Sequence, residues 1–208
     1  AIRQVTLAPE RSGGLEAIRR VVGHGAAAAV GHTAADRAQT QAAFDAGATI
    51  LTHAFNAMKG LHHREPGPVG AAMSDPRVRL EVIADGVHVH ADVIRMLSAS
   101  APGRVALVTD AMAAAGAADG AYELGGLAVE VIDGVARLVD GGAIAGSTLT
   151  QDAALRTAVA AGMPVAQAVE ALTSVPAAAV GRPDLGTLTV GSLADIVLLD
   201  ADLHVRGV

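Results

Sequence analysis

Residues 26–56 read AAAAVGHTAADRAQTQAAFDAGATILTHAFN and contain two short apolar runs, each closed by a histidine. The first run ends at His32 and the second at His53. The segment between them, residues 34–47, has the composition and apolar spacing of a helix and ends at a glycine, which is a helix stop signal. A strand, a helix and a second strand in this order predict a βαβ unit with parallel strands.

An apolar run with a polar end recurs in QVTLAPE, VRLEVIADG and RVALVTDA. The five polar ends are separated by 22, 21, 32 and 25 residues, close to the strand–helix repeat of an eight-fold barrel of about 250 residues. They are Glu10, His32, His53, Asp85 and Asp110. The sequence therefore predicts an α/β fold of the (β/α)8 TIM-barrel type, in which these strand ends face one cavity. Five strands do not close such a barrel, so we expect a partial barrel whose first strands are not part of this sequence.

The regular alternation ends after Asp110. LAVEVI and VARLV flank Asp133 and Gly134, a pair typical of a two-residue hairpin turn, so a β-hairpin insertion is predicted at about residues 121–143. Residues 187–208 are predicted to form two short strands around a Gly-Ser turn, as part of a small β-sandwich portion at the C-terminus. The partial-barrel catalytic domain is expected to span residues 1–186.

The composition describes a globular chain and argues against several classes of function. Of 208 residues, 51% are hydrophobic and 17% are charged, which allows a sizeable core. The net charge of −6 includes no long run of one sign, which argues against a nucleic acid partner and a polybasic membrane anchor. We find no run long and apolar enough for a membrane span and no signal peptide, so we expect a cytoplasmic protein without a membrane partner.

The chain contains no cysteine, so any metal must be held by imidazole and carboxylate groups. Glu10, His32 and His53 suit a catalytic divalent ion, because two imidazoles and one carboxylate leave a position open for water, as in zinc enzymes. Asp110, at another strand end, is placed to accept a proton from that water and to pass it to a leaving group. The alternative is that each residue has a structural role only, in a turn or as a hydrogen-bonded group at a strand end.

The segment HVH at 88–90 offers two further histidines. If it is extended, His88 and His90 lie on one side, as a metal pair requires. We favour a different interpretation, in which His90 begins the helix ADVIRML and His88 contacts the substrate. Asp85 precedes a glycine and is interpreted as a turn and scaffold residue.

Eight motifs follow one another in the order found in one known family. They are TLAPE (6–10), GHT (31–33), THAFNAM (52–58), HHREPGPVGAAM (62–73), IADGVHV (83–89), LVTDAMAAAG (107–116), AGSTLT (145–150) and the tail LGTL…G…ADIVLLD (185–200). Over essentially the whole chain they resemble the N-acetylglucosamine-6-phosphate deacetylase family of the amidohydrolase superfamily. The resemblance implies metal-dependent hydrolysis of the N-acetyl group of N-acetylglucosamine 6-phosphate to glucosamine 6-phosphate and acetate, in amino-sugar catabolism.

The resemblance also implies a set of catalytic residues. Glu10, His32 and His53 match the family's metal ligands, and Asp110 matches its catalytic aspartate. The implied cofactor is a divalent metal ion, with Zn²⁺ as the first candidate, at one or two ions per subunit. The family's early His-x-His strand and its HLEGP segment are not found in this sequence, so its residues do not decide between one and two metal ions or define the whole substrate pocket.

For the substrate, the resemblance implies a phosphorylated amino sugar. Asn56 and Ala57 match positions that hold the sugar phosphate, largely through backbone N–H groups. Arg64 resembles an arginine that reaches the phosphate in the neighbouring subunit's site, which implies a homodimer, and its planar guanidinium suits bidentate pairing with phosphate. His88 resembles the substrate-binding histidine, and Ile144 lies in the segment that resembles the wall near the acetyl group.

Two alternatives stay open. The first is another amide or ring hydrolase of the same superfamily, similar to a dihydroorotase, although the phosphate-binding positions Asn56, Ala57 and Arg64 argue against it. The second is an inactive barrel fragment with unpaired strand edges, which would be prone to association.

Overall fold

A computed structural model describes residues 2–208 of the chain. Within these residues the chain forms ten strands and seven helices. The strands are β1 (Gln4–Leu7), β2 (Ala27–Val30), β3 (Ile50–Leu51), β4 (Arg79–Ile83), β5 (Val105–Val108), β6 (Gly120–Leu124), β7 (Leu127–Ile132), β8 (Val135–Leu138), β9 (Leu198–Leu199) and β10 (Val205–Gly207). The helices are α1 (Gly14–Gly23), α2 (Arg37–Asp45), α3 (Gly67–Ser74), α4 (Ala91–Ser100), α5 (Gln151–Ala160), α6 (Val165–Leu172) and α7 (Ser174–Ala179). None of the helices in this described part is long and apolar enough to cross a bilayer.

Strands β1 to β5 form a parallel sheet in the order in which they occur along the chain. A helix follows each of the first four strands, and α5 and α6 pack on β5. These are the five runs whose polar ends the sequence analysis singled out, so the predicted α/β arrangement of parallel strands is confirmed. Because the strands are parallel, their carboxyl ends lie at one edge of the sheet and their amino ends at the other.

Helix α2 shows how the local sequence sets the ends of an element. Asp36 precedes it and accepts a hydrogen bond from the backbone N–H of Gln39, while the Gln39 side chain accepts one from the backbone N–H of Asp36. This reciprocal capping box satisfies two N–H groups that the first helical turn leaves without partners. After Asp45, Gly47 has φ 110, a conformation that favours glycine and ends the helical path before β3.

The core lies between the sheet and the helices. Strand residues Val30, Leu51, Leu80, Val82 and Leu107 are buried, and helix residues such as Ile18, Phe44, Ile94 and Leu97 belong to the same cluster. Burying each such side chain contributes about 1.5–3 kcal/mol. The buried apolar residues of β4 and β5 therefore hold these strands against the helices.

Side-chain contacts across the sheet require it to curl. Gln4 on β1 donates a hydrogen bond of 2.9 Å to Glu81 on β4, although three strand spacings in a flat sheet amount to about 14 Å. Over β2, the hydroxyls of Thr6 and Thr52 lie 2.9 Å apart. A Cβ atom at Gly31 would meet both threonine side chains at 2.8 Å. Glycine at this position therefore allows the β1 and β3 side chains to meet over β2 on the concave face.

The amino ends of β4 and β5 are joined to α3 by Arg104. Its guanidinium donates hydrogen bonds of 2.7–3.0 Å to four backbone carbonyls, through Nη1 to Ala72, Asp75 and Val78 and through Nη2 to Met73. Two of these carbonyls belong to the last turn of α3, which leaves such groups without helical partners. One arginine thus ties the end of a helix to the start of two strands.

Asp75 provides the second polar contact at this edge. Its carboxylate accepts hydrogen bonds from Arg77 Nε and Nη2 and from Gln41 Nε2. Arg77 also pairs with Asp45 at the end of α2, at 2.7 Å. The hydrogen bonds from Arg77 hold the pKa of Asp75 far below its usual value, against the opposing effect of burial.

The predicted hairpin is present as part of a three-stranded antiparallel sheet of β6, β7 and β8. Asp133 and Gly134 have φ 51 and φ 73, the positive values that a type I′ turn requires, and they join β7 to β8. Strand β6 was not predicted and adds to this sheet through the turn at Gly125 and Gly126. Val129, Val131 and Ala136 form a second small core with Met112, Ala114 and Ala145.

The prediction for the tail was wrong in detail. Strands β9 and β10 form an antiparallel pair around residues 200–204, not around the Gly-Ser turn at 191–192. In the latter segment the hydroxyls of Thr187, Thr189 and Ser192 bond to one another, and Ser192 N–H donates to the carbonyl of Thr189. These local bonds compete with strand pairing, which needs a neighbouring strand to satisfy the backbone.

Candidate active site

A cavity of about 420 Å³ lies at the carboxyl ends of the parallel strands. Residues that follow β2, β3 and β5, the end of β4 and the loop after it, strands β6 to β8 and the connection that follows β8 line it. They include His32, His53, Asn56, Ala57, Ile83, His88, Asp110, Met112, Ile144 and Gly146. The cavity therefore brings together most of the side chains that the sequence analysis proposed, from positions more than 100 residues apart. Glu10 and Arg64 are not among its lining residues.

Three of the five polar strand-end residues have left-handed backbone. His32, His53 and Asp110 have φ values of 46, 28 and 50, a region that residues other than glycine rarely adopt. Each follows the end of a parallel strand by two residues. Such conformations cost of order 1–3 kcal/mol each and cluster at functional sites. The left-handed turn redirects each side chain at the strand end, where the cavity lies.

The two histidines meet directly. Their Nε2 atoms lie 2.9 Å apart, and the rings pack edge to face with centroids 4.7 Å apart. Two imidazole nitrogens on one tetrahedral zinc ion, at about 2.0–2.1 Å each, lie about 3.3 Å apart. The pair therefore fits two ligands of one ion. The buried His53 Nδ1 has no hydrogen-bond partner within residues 2–208, so Nε2 is the nitrogen of this ring that takes part in the pairing.

Glu10 has a different environment from the one predicted. Its carboxylate accepts hydrogen bonds from Thr33 Oγ1 at 2.5 Å and from the backbone N–H of Ala34 at 2.7 Å. Burial raises its pKa, and these hydrogen bonds more than offset that effect, so the pKa is lowered overall. Among the described residues, the ligand atoms of Glu10, His32 and His53 do not form a group within 4.8 Å of one another. The structure thus places Glu10 beside the residues that follow His32, and not between the imidazoles.

Asp110 is held by the segment that returns from the three-stranded sheet. The backbone N–H of Ser147 donates to the carbonyl of Asp110 at 2.8 Å, and the Ser147 hydroxyl donates to the carbonyl of Thr109. A Cβ at Gly146 would lie 3.0 Å from the Asp110 carbonyl, so the close approach depends on glycine there. Ser147 lies in the AGST motif, but its sequence position alone does not indicate this role.

The turn after His53 carries the proposed phosphate-binding positions. Asn56 donates from its backbone N–H to the carbonyl of His53, and its side-chain amide donates to the carbonyls of His53 and Ala54. Ala57 has φ 48, and its carbonyl accepts from the N–H of Thr33, which connects this turn to the one after β2. The residues at the ends of β2 and β3 therefore form one connected unit.

His88 and Asp85 form a pair at the end of β4. His88 Nδ1 lies 2.6 Å from Asp85 Oδ2, and both side chains are largely buried. Asp85 has the turn role that was predicted, because its other oxygen accepts hydrogen bonds from the backbone N–H groups of Val87 and His88. His90 begins α4, as predicted, and caps it by accepting from the N–H of Asp92.

Arg64 lies on an exposed segment. Its Nη1 is 2.7 Å from His63 Nε2, and the neighbouring Glu65 carboxylate accepts from the N–H groups of Arg37 and Gly67. Glu65 therefore fixes the segment while Arg64 stays accessible at the surface. The structure describes one chain and contains no second subunit that Arg64 could reach.

Two features of the site were missed by sequence analysis. Leu124, Leu127 and Leu138 of the three-stranded sheet form an apolar wall of the cavity. The alternation of apolar residues within β6 to β8 does not reveal which face of these strands lines the cavity.

The second feature is Glu81, which lies on the concave face of β4. Burial raises its pKa, partly offset by hydrogen bonds from Gln4 and the His53 backbone, and the charge of Asp110 raises it further. A single glutamate in an apolar run does not indicate that its side chain is buried beside the site.

Comparisons with known proteins agree with these features. The chain is 47% identical to an N-acetylgalactosamine-6-phosphate deacetylase of Escherichia coli O157:H7, over 99% of this chain and 55% of that protein. It is 41% identical to an N-acetylglucosamine-6-phosphate deacetylase of Vibrio furnissii, over 98% of this chain and 51% of that protein. The chain thus spans about half the length of these curated relatives.

Solved structures give the same result. An N-acetyl-D-glucosamine-6-phosphate deacetylase mutant from Mycobacterium smegmatis, in complex with N-acetyl-D-glucosamine-6-phosphate, superimposes with a TM-score of 0.94 at 49% identity, over 98% of this chain and 55% of that chain. The amidohydrolase family model matches residues 2–206. This match covers nearly the whole chain, and the chain therefore belongs to the amidohydrolase family.

Proposed function

We propose that the protein hydrolyses the N-acetyl group of N-acetylglucosamine 6-phosphate, giving glucosamine 6-phosphate and acetate. The observation that carries this proposal is the cavity in which His32, His53 and Asp110 meet at the carboxyl ends of three parallel strands. Relatives and solved structures named as deacetylases of this substrate class cover nearly the whole chain. They make an amide of a phosphorylated amino sugar the first substrate to test.

The proposed metal ligands are His32, His53 and Glu10. The two histidines are supported by the separation of their Nε2 atoms, and Glu10 is supported by its match to the family's TLAPE motif. A divalent ion, with Zn²⁺ as the first candidate and one or two ions per subunit, would polarise the acetyl carbonyl and activate water when bound. Neutral imidazoles are needed for this role, so metal binding would weaken as the histidines become protonated.

Asp110 is the proposed proton carrier. As a carboxylate it accepts a proton from the attacking water, and it then donates that proton to the departing amine when the amide C–N bond breaks. The water oxygen ends in acetate and the nitrogen in the amino group of glucosamine 6-phosphate. The segment of Ser147 and Gly146 keeps the Asp110 backbone in place through this cycle.

The substrate is proposed to lie across the cavity. The turn of Asn56 and Ala57 holds the phosphate group, His88 contacts the substrate, and Ile144 forms part of the wall near the acetyl group. Arg64 is proposed to reach the phosphate in the neighbouring subunit of a homodimer, which agrees with its exposed position outside this chain's own cavity.

The architecture supports a finer proposal. The curled sheet has the geometry of a barrel wall, and we infer a partial (β/α)8 barrel over residues 1–186 with the insertion at 121–143. Residues 187–208 would contribute strands to a small β-sandwich. A sugar phosphate is charged and does not cross membranes unaided, so the cytoplasm is the proposed location.

The test is acetate release by the protein as its gene encodes it, loaded with Zn²⁺. We expect turnover of N-acetylglucosamine 6-phosphate and at least a hundredfold lower kcat/KM for N-acetylglucosamine. Equal kcat/KM with and without the phosphate would contradict the proposal and favour another amidohydrolase reaction. Dihydroorotate serves as the comparison substrate for the ring-hydrolase alternative.

N-acetylgalactosamine 6-phosphate is the second candidate substrate. The relative from Escherichia coli O157:H7 is named for it and is 47% identical to this chain. The two sugars differ only in the orientation of the 4-hydroxyl group. The ratio of the two kcat/KM values, measured on one preparation, decides which substrate the protein prefers.

A further inference from the structure

The two ring nitrogens of His88 lie in different environments. Nδ1 is 2.6 Å from Asp85 Oδ2, and the two side chains are 7% and 15% exposed. The ring also lines the cavity that contains Asp110 and the two facing histidines. Because Nδ1 is engaged by the carboxylate, Nε2 is the nitrogen that can meet a bound molecule.

Asp85 is itself held firmly in this position. Its Oδ1 accepts hydrogen bonds of 2.9 Å and 2.8 Å from the backbone N–H groups of Val87 and His88. Gly86 has φ 79, which allows the tight turn that brings these groups to the carboxylate. Burial raises the pKa of Asp85, but the hydrogen bonds from His88 and from the backbone outweigh burial and lower it overall. Asp85 is therefore a carboxylate at neutral pH and accepts a hydrogen from His88.

We infer that Asp85 is a positioning residue that holds His88 with its hydrogen on Nδ1, so that Nε2 accepts a hydrogen bond from a substrate hydroxyl. A carboxylate hydrogen-bonded to one ring nitrogen sets which tautomer a histidine adopts. A lone pair on Nε2 suits a sugar O–H group and disfavours an anion. His88 would thus recognise the sugar ring, and the phosphate would bind elsewhere. The hydroxyl partner rests on the proposed function, whereas the tautomer does not.

The chain offers a matched control in His90 and Asp92. These are also a histidine and an aspartate close in sequence, with His90 Nδ1 3.5 Å from Asp92 Oδ2. Their side chains are 75% and 62% exposed, and neither lines the cavity. An exposed pair of this kind contributes little. Asp92→Asn therefore changes the same atoms as Asp85→Asn, but outside the site.

The first experiment measures the tautomer directly. The protein as its gene encodes it is labelled with ¹⁵N-histidine and loaded with Zn²⁺, and His88 is assigned by comparison with His88→Gln. A ring nitrogen without hydrogen resonates far downfield of one that carries hydrogen. We expect the downfield resonance for Nε2 of His88 at neutral pH. The inference would be overturned if Nε2 of the wild-type protein carried a hydrogen, either as the other neutral tautomer or as an imidazolium with a hydrogen on both nitrogens.

The second experiment uses Asp85→Asn. The asparagine oxygen can still accept the two backbone hydrogen bonds, but its NH₂ group now faces Nδ1 and favours the opposite tautomer. We expect the hydrogen to move to Nε2 and KM for N-acetylglucosamine 6-phosphate to rise about tenfold or more, with thermal unfolding close to that of wild type. Asp92→Asn should leave KM within about twofold.

An unchanged His88 spectrum in a folded Asp85→Asn protein would overturn the inference. If Asp85→Asn does not fold, the wild-type spectrum alone decides. A wild-type protein with the expected tautomer and no deacetylase activity would contradict the proposed function and leave the role of Asp85 standing. The two failures are therefore distinguishable.

Discussion

The two edges of the parallel sheet are built in opposite ways. At the carboxyl ends, His32, His53 and Asp110 have left-handed backbone, and a buried ring nitrogen of His53 has no hydrogen-bond partner within residues 2–208. At the amino ends, Arg104 and Asp75 satisfy several partners each, on ordinary backbone. Barrel enzymes place chemistry at the carboxyl edge and stability at the amino edge. In this protein, the difference implies that substitutions at one edge change activity and those at the other change folding.

The largest effect should come from Asp110→Asn, which tests the carboxyl edge. Asparagine is nearly isosteric but cannot take up a proton, so we expect kcat to fall by about 10²–10⁴-fold. The midpoint of thermal unfolding should stay within about 2 °C of wild type. The exposed Asp140 provides the matched control, and Asp140→Asn should keep full activity. Retention of the wild-type rate by Asp110→Asn would show that proton transfer takes another route.

Arg104→Met should test the amino edge. The methionine keeps much of the apolar stem but leaves four carbonyls without the guanidinium, so the free energy of unfolding should fall by about 3 kcal/mol in urea titrations. Metal content per folded molecule should not change. Arg95, which pairs only with exposed Asp92 among the described carboxylates, is the control, and Arg95→Met should cost less than about 1 kcal/mol. A large loss of metal in folded Arg104→Met would break the proposed separation of the two edges.

Metal content sharpens the comparison within the carboxyl edge. His53→Ala should weaken Zn²⁺ binding by at least tenfold, because it removes one of two facing imidazoles. Glu10→Gln should weaken it less, since the amide oxygen can keep the hydrogen bond from the Ala34 N–H while the amide NH₂ group donates to the Thr33 hydroxyl. Competition with a chromogenic chelator measures both. Unchanged Zn²⁺ affinity in Glu10→Gln would remove Glu10 from the ligand set and leave the histidines.

The smallest expected effect concerns pH at the amino edge. The pKa of Asp75 is lowered in the folded protein, so its contribution is present above the unfolded pKa, near 3.8, and is lost as pH falls below that value. Asp75→Asn should lower the free energy of unfolding by about 1–2 kcal/mol at pH 7, and the difference from wild type should shrink in acid. Urea titrations at pH 7 and pH 3 measure it. Asp140→Asn is the control because Asp140 is exposed and has no ion pair among the described residues. A difference that grew in acid would have the wrong sign.

Sequence reasoning reached the fold through one repeated signal. An apolar run with a polar end predicted all five parallel strands, because a buried strand needs continuous apolar residues and its end must turn toward solvent. The same logic could not place Glu10, because a strand-end position does not say which way a carboxylate turns. Thr33 and Ala34 offer it hydrogen bonds that depend on tertiary structure.

The tail and the apolar wall were harder for a related reason. Strands β9 and β10 are short and exposed, so no core-facing pattern marks them. Leu124 and Leu127 line the cavity only because the three-stranded sheet lies over it, and the sequence does not indicate where this sheet packs. The Asp133–Gly134 turn was predictable because a type I′ turn needs positive φ at two adjacent residues, and an Asp-Gly pair meets this requirement without help from the rest of the fold.

The left-handed backbone at His32, His53 and Asp110 has a practical consequence for protein engineers. Grafting this site onto another scaffold would require copying the main-chain path as well as the three side chains, because an ordinary strand end aims them elsewhere. Random libraries at these positions would also be misleading. Selections for thermal resistance would enrich glycine or asparagine, because both residues adopt positive φ with less strain. That enrichment would say nothing about which side chains bind metal or transfer a proton.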